Sequence, residues 1–196
     1  MPSEKVRHIY SGRLVRPGVF GGSPEWTAGL RRHPAAVVAA AVVLAVCACI
    51  PYAGFPVLYL TAVACGAFYA ANEPLQLLLL PEKGAARFLT RKVLTAWRNY
   101  FLLTAPFAAL TLLAQPRSAW MVVAWAPLAA LALLYFVTAK YARYDAADES
   151  PHWPLAARLG AAGFLVLPLL PLSLCLVVSY ALRAERNLNR YLYDYD

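Results

Sequence analysis

The sequence is short of charge. Asp, Glu, Lys and Arg make up 14% of its 196 residues and hydrophobic residues 61%, whereas soluble domains carry nearer a quarter charged. The shortage is also uneven: no charged residue occurs from 33 to 72 or from 159 to 182, and Arg117 stands alone between 99 and 139. Catalytic signatures are missing as well. There is no HExxH, Cys-x-x-Cys, GxSxG elbow or phosphate-binding glycine loop, so the common metallohydrolase, zinc, serine-hydrolase and nucleotide chemistries have no motif here. His8, His33 and His152 are far apart in the chain. Cys47, Cys49, Cys65 and Cys175 lie in apolar runs as small packing residues, and Cys47 and Cys49 would point about 200° apart on a helix. The expectation is therefore no catalytic residue, no metal and no cofactor.

What the chain does have is apolar runs of helical length. A bilayer-spanning helix takes roughly 20 residues at about 1.5 Å each. Residues 33–72 and 99–139 each suit two crossings, divided at "IPYAGFP" and "QPRSAW", where Pro51, Gly54, Pro56 and Pro116 supply turns. This predicts an all-α, polytopic integral membrane protein, with two transmembrane hairpins inside a membrane domain over 34–182. The first span, built of Ala and Val, suits close helix packing. Lys5, Arg7, Arg13, Arg16, Arg31 and Arg32 precede the first run, and Lys83, Arg87, Arg91, Lys92 and Arg98 follow the first hairpin. The positive-inside rule then places the N-terminus, the 81–98 connector and the 140–158 loop in the cytoplasm of a bacterial inner membrane. The net charge of +8 reads as contact with anionic headgroups rather than nucleic acid, because the basic residues are dispersed.

The remaining segments are less regular. Residues 159–182 would form a fifth span or a re-entrant hairpin. Pro168 and Pro171 break them, and Arg183, Arg186 and Arg190 in the 183–196 tail favour a return to the cytoplasm. In the 1–33 lead-in, "SPEWTAGLRR" offers Ser23 as N-cap, Pro24 at the first helical position and Glu25 near the positive helix end. This predicts a short interfacial helix with Trp26 and Leu30 towards lipid, ahead of a first span retained as an anchor. Trp97, Tyr100, Phe101, Trp120, Tyr135, Tyr141, Tyr144 and Trp153 read as belt anchors near span ends. Glu73 is a helix cap if it lies at the interface and a functional carboxylate if it lies within the bilayer. Asp145, Asp148 and Glu149 read as a solvated loop.

From Glu73 the chain runs "EPLQLLLLPEKGAARFLTRKVL": an acid, a Leu-rich stretch, a proline, a short polar stretch, an apolar pair and a lysine. In this layout, at Glu73, Leu80, Pro81, Phe88 and Lys92, the chain resembles the permease subunits of type-two ATP-binding-cassette exporters, whose connector after the second span docks on a nucleotide-binding subunit. The small polar pair that follows the proline in that family is Glu82 and Lys83 here. The resemblance implies a non-catalytic transmembrane subunit of an export machine. It would couple through Pro81, Glu82, Arg87, Phe88, Arg91 and Lys92 to a separate ATPase subunit, beside a second permease copy or homologue. The alternative is an accessory or scaffold subunit of a larger membrane complex. In either case the lipid bilayer is a partner, and any ATPase activity resides in another chain.

Overall fold

A computed structural model describes residues 23–32, 34–73, 84–145 and 153–193. All regular structure among them is helical: α1 (Pro24–Arg32), α2 (Pro34–Ala48), α3 (Gly54–Ala64) with a 3-10 extension (Cys65–Tyr69), α4 (Ala85–Ala114), α5 (Met121–Tyr141), α6 (Leu155–Ala162) and α7 (Leu170–Tyr193). Prolines begin α1 and α2, where the missing N–H has no helical partner to lose. Gly84, at φ 118°, precedes α4 in a backbone conformation that side chains disfavour. The first turn falls at the expected prolines, with Tyr52 in the left-handed region at φ 61°.

From Ala85 onward the connector and the third apolar run form one helix. At 30 residues, α4 extends about 45 Å, more than the roughly 30 Å of a bilayer's hydrocarbon core. Among the described residues, only α5 is long and apolar enough to cross a membrane on its own; α1 and α2 meet the test together but are bent by 89°.

Hydrogen bonds define two ends of the bundle. At one, Gln115 Nε2 donates to the Cys49 carbonyl at 3.3 Å, joining the two tight turns. At the other, Asn72 Nδ2 donates to the Asp145 carbonyl at 3.2 Å, and Asn187 Nδ2 donates to the carbonyls of Tyr141 and Tyr144 at 3.1 and 2.8 Å. Exposed arginines gather at this second end on α1, the first turns of α4 and the last turns of α7, whereas Arg117 lies at the first.

The last block folds back on itself. Pro168 lies in a 3-10 turn between α6 and α7, and Pro171 falls in the first turn of α7. The turn sits beside the middle of α3, where Tyr59 Oη donates to the Phe164 carbonyl at 2.5 Å. Tyr135 packs on Tyr180, and Tyr144 on Tyr191, so α7 runs parallel to α5 and ends at the basic end. The helices α6 and α7 thus form a hairpin.

Several aromatics expected as belt anchors are core residues instead. Tyr100, Tyr135, Tyr141 and Tyr144 are buried. Tyr100 Oη donates to the Leu58 carbonyl at 2.7 Å and accepts from Trp125 Nε1 at 3.0 Å, tying α3, α4 and α5 together. Trp26 is also turned inward, donating to Tyr69 Oη at 2.8 Å with its ring against Phe68, so the lipid-facing orientation expected for it does not hold. A buried hydroxyl or indole N–H is costly without a partner, and these rings find theirs on neighbouring helices rather than at a water interface. Gly66 lets the 3-10 extension approach α5, since a Cβ there would come within 2.6 Å of the Phe136 ring. Of the four cysteines, Cys65 alone is buried, while Cys49 and Cys175 are exposed.

Asn187 closes the last carbonyls of α5 against α7. Replacing it with alanine should lower stability by about 1–2 kcal/mol and speed proteolysis of the 183–193 segment, read by thermal melting and limited digestion in detergent.

Candidate functional site

The strongest chemical feature is a four-charge cluster at the basic end. Its members come from four separate segments. Glu25 enters from the first turn of α1, Glu73 from the chain after the 3-10 extension, Lys92 from α4 and Lys140 from the last turn of α5. Lys92 Nζ lies 2.9 Å from Glu25 Oε1 and 2.8 Å from Glu73 Oε1; Lys140 Nζ lies 3.5 and 3.2 Å from the same two oxygens. Each ammonium therefore faces both carboxylates. The side chains are 0% (Lys140), 4% (Glu25), 8% (Glu73) and 15% (Lys92) exposed, so water does little of the solvation.

Neutral groups complete the cluster. Tyr141 Oη is 3.4 Å from Glu25 Oε1 and 3.3 Å from Glu73 Oε1, and Ser23 Oγ donates to Glu25 Oε2 at 2.9 Å. Tyr144 Oη donates to the Glu73 carbonyl at 2.7 Å, fixing the backbone that carries the carboxylate. Rings line the cations: Lys140 Nζ is 5.9 Å from the Tyr69 centroid and 5.4 Å from that of Tyr141, and Lys92 Nζ is 5.6 Å from that of Phe88. Phe88 itself packs edge-on against Tyr141 at 5.3 Å.

Burial and charge pull the two carboxyls in different directions. Burial disfavours the Glu25 anion, but its contact with Glu73 and the charges of Lys140 and Lys92 outweigh it and hold that carboxyl below the usual range. Burial, together with the adjoining Glu25, pushes Glu73 above that range against the pull of the two lysines. For Lys92, burial favours the neutral amine, yet both carboxylates prevail and its pKa is raised. The two carboxyls thus titrate as a pair, in two steps that belong to the pair rather than to either residue.

Such a cluster is a clasp. A pair of unit charges 4 Å apart attracts by about 4 kcal/mol at an effective dielectric of 20, while desolvation costs several kcal/mol per ion, so the net gain is small. Removing one member is a different matter, because it leaves a buried charge without its partner.

Sequence reasoning singled out two members, Glu73 as a carboxylate of undecided depth and Lys92 as a connector residue. It read Glu25 only as a helix-end charge and Lys140 only as a cytoplasmic flank. A signal for Lys140 was present: it sits within "FVTAKYA", where the apolar run has not yet ended. Among the connector residues expected to couple to a partner, Arg87 and Arg91 lie on the outer face of α4, whereas Phe88 and Lys92 are taken up by this protein's own core and clasp. Pro81 and Glu82 lie outside the described residues. The described outer face of α4 is a shallow groove lined by Arg87, Thr90, Arg91, Leu94, Thr95 and Arg98.

Among the described residues, no group of three His, Cys, Asp or Glu side chains is placed to hold a metal ion. No family model, curated protein or solved structure matches the chain.

Lys140→Met should destabilise the protein by about 3–5 kcal/mol, and adding Glu73→Gln should recover part of that loss because the Glu25–Lys92 pair remains balanced; thermal melts of the single and double variants read both. Acidification tests the carboxyls. The stability that Glu25 contributes is present above about pH 4.3 and lost as pH falls through its depressed native pKa. The acid limb of the melting curve should therefore begin near pH 4.3, extend well below it, and shorten in Glu25→Gln. Lys92 acts with the opposite sign: its contribution is present below about pH 10.4 and lost as pH rises through the raised native value.

Proposed function

We propose that this protein is a non-catalytic, multi-pass subunit of a bacterial inner membrane that docks a separate protein through the outer face of α4. Membrane placement is supported by its surface. Val38, Val42 and Val46 on α2, Leu102 and Leu113 on α4, Val123 on α5 and Val178 on α7 are all exposed and all fall in the charge-poor stretches. Water-soluble monomers rarely present such large apolar surface. In this reading α2, α3, the second half of α4 and α5 cross the membrane. The α6–α7 hairpin is re-entrant, and the N-terminus, the clasp and residues 84–98 are cytoplasmic.

The observation that carries the docking role is the continuity of α4. One helix joins the face of Arg87, Arg91 and Leu94 to the buried Tyr100, Thr104 and Thr111 of the bundle. A load on the cytoplasmic turns reaches the membrane turns without passing through a loop. This suits the form given by the connector's resemblance: a permease subunit of a type-two ATP-binding-cassette exporter, driven by an ATPase in another chain. The accessory or scaffold reading is favoured by the clasp, which fastens the same helix to three other segments, whereas a coupling helix has to move.

Two experiments test these proposals. A membrane-impermeant maleimide applied to intact cells should label exposed Cys49 at the outer turn and leave Arg91→Cys unlabelled until the membrane is opened; the reverse pattern would invert the topology. Purification from native membranes followed by mass identification should retain a partner, and Arg87→Glu/Leu94→Glu, at two exposed positions of that face, should reduce it about tenfold or more without changing the melting temperature. A co-purifying ATPase supports the exporter and a redox or secretion subunit the scaffold. Recovery of the chain alone would overturn docking.

A further inference from the structure

The outer face of α4 repeats with the spacing of a helix-pairing seam. Arg87, Arg91, Leu94 and Arg98 follow one another at steps of 4, 3 and 4 residues, the alternation that keeps side chains on one stripe and lets two helices lie along each other. Thr90 and Thr95 flank the stripe, and these six side chains line the groove. All but Thr95 are exposed. The Thr90 hydroxyl is taken up by its own helix, donating to the Ala86 carbonyl at 2.9 Å.

The stripe has the spacing of a seam without its usual side chains. Three of the four positions are cationic where paired helices are ordinarily apolar, and the whole chain carries a net charge of +8. A second copy offering the same face would set arginine against arginine, which is repulsive. The complement is a helix with carboxylates opposite the arginines and an apolar side chain opposite Leu94, since guanidinium and carboxylate pair through two parallel hydrogen bonds. Arg98 already donates to Asn99 Oδ1 at 3.3 Å, but a guanidinium has five N–H donors and one such contact does not exhaust it.

Geometry separates a helix from other occupants. Successive stripe residues rise by about 5.5 Å, whereas same-side residues of an extended segment stand about 6.6 Å apart, so a helix keeps register over all four positions and a strand does not. From Arg87 to Arg98 the stripe is about 16 Å long, and the headgroup layer of one leaflet is about 5–7 Å thick. A helix standing across the bilayer therefore presents at most one end of this stripe to headgroups.

We propose that the stripe binds one acidic amphipathic helix of a partner protein, with carboxylates against Arg87, Arg91 and Arg98 and an apolar side chain against Leu94. This gives the docking role its partner surface and rests on that role.

The test is photo-crosslinking of the full chain in native membranes from p-benzoylphenylalanine in place of Thr90, with the captured peptide sequenced by mass spectrometry. The captured segment should carry acidic residues at steps of 3 and 4 around an apolar one. Arg87→Glu, at an exposed position, should lower the yield about tenfold without changing the melting temperature, and reversing the facing acid of the captured segment to arginine should restore it. Capture of a partner segment without that acidic pattern, a yield indifferent to Arg87→Glu, or a loss that the reversal does not restore would remove the acidic helix and leave docking in place. Capture of lipid only, of a second copy of the chain, or of nothing would remove docking through this face as well.

Discussion

The pairing of Glu25 and Glu73 with Lys92 and Lys140 is the constraint on which the rest of the basic end depends. An ion buried without a partner costs several kcal/mol, so none of the four segments can move away alone without stranding a charge. That requirement sets where α1 lies, where the chain after α3 passes, and how α4 is rotated about its axis. Phe88 follows from the rotation: with Lys92 directed inward, the ring one turn earlier faces inward too and fills the space beside Tyr141. Arg87 and Arg91 are then left outside.

Tyrosines extend the same logic along the bundle. Tyr141 and Tyr144 bond the clasp, Tyr135 donates to the Ala157 carbonyl at 2.7 Å, and Tyr100 bridges Leu58 and Trp125. Each carries a large apolar body and one polar tip, so it can be buried deeply provided the tip finds an acceptor. The carbonyls and hydroxyls that serve are fixed by neighbouring helices, which gives an otherwise Ala-, Val- and Leu-rich interior definite registers. Ser173 does the same for the hairpin of α6 and α7, donating to the Gly160 carbonyl at 2.7 Å.

The functional proposals meet in α4. Its inward side is held by charge and aromatic packing, its outward side presents arginines around Leu94, and its far half belongs to the apolar bundle. A helix with one held side and one presented side suits a protein that gives a partner a fixed footing. It transmits force only to the extent that the clasp yields. The energetics of the clasp therefore bear directly on the choice between scaffold and coupled permease.

Composition and the spacing of charge determined the helical class, the turns at Pro51 and Pro116, the break at Pro168 and the start of α1 at Pro24, because each depends on local backbone chemistry or on the absence of charge over a long run. Glu73 and Lys92 could be singled out as odd residues at the edges of apolar runs. That they join Glu25 and Lys140 could not, since the partners lie up to 115 residues apart, from 25 to 140, and nothing local encodes which charge meets which. Tertiary structure alone decided that Trp26, Tyr100 and Tyr141 are core rather than belt, and that Phe88 faces its own protein. The identity of an aromatic near a helix end reports its chemistry, whereas the direction it faces is set by the rotation of the whole helix against its neighbours.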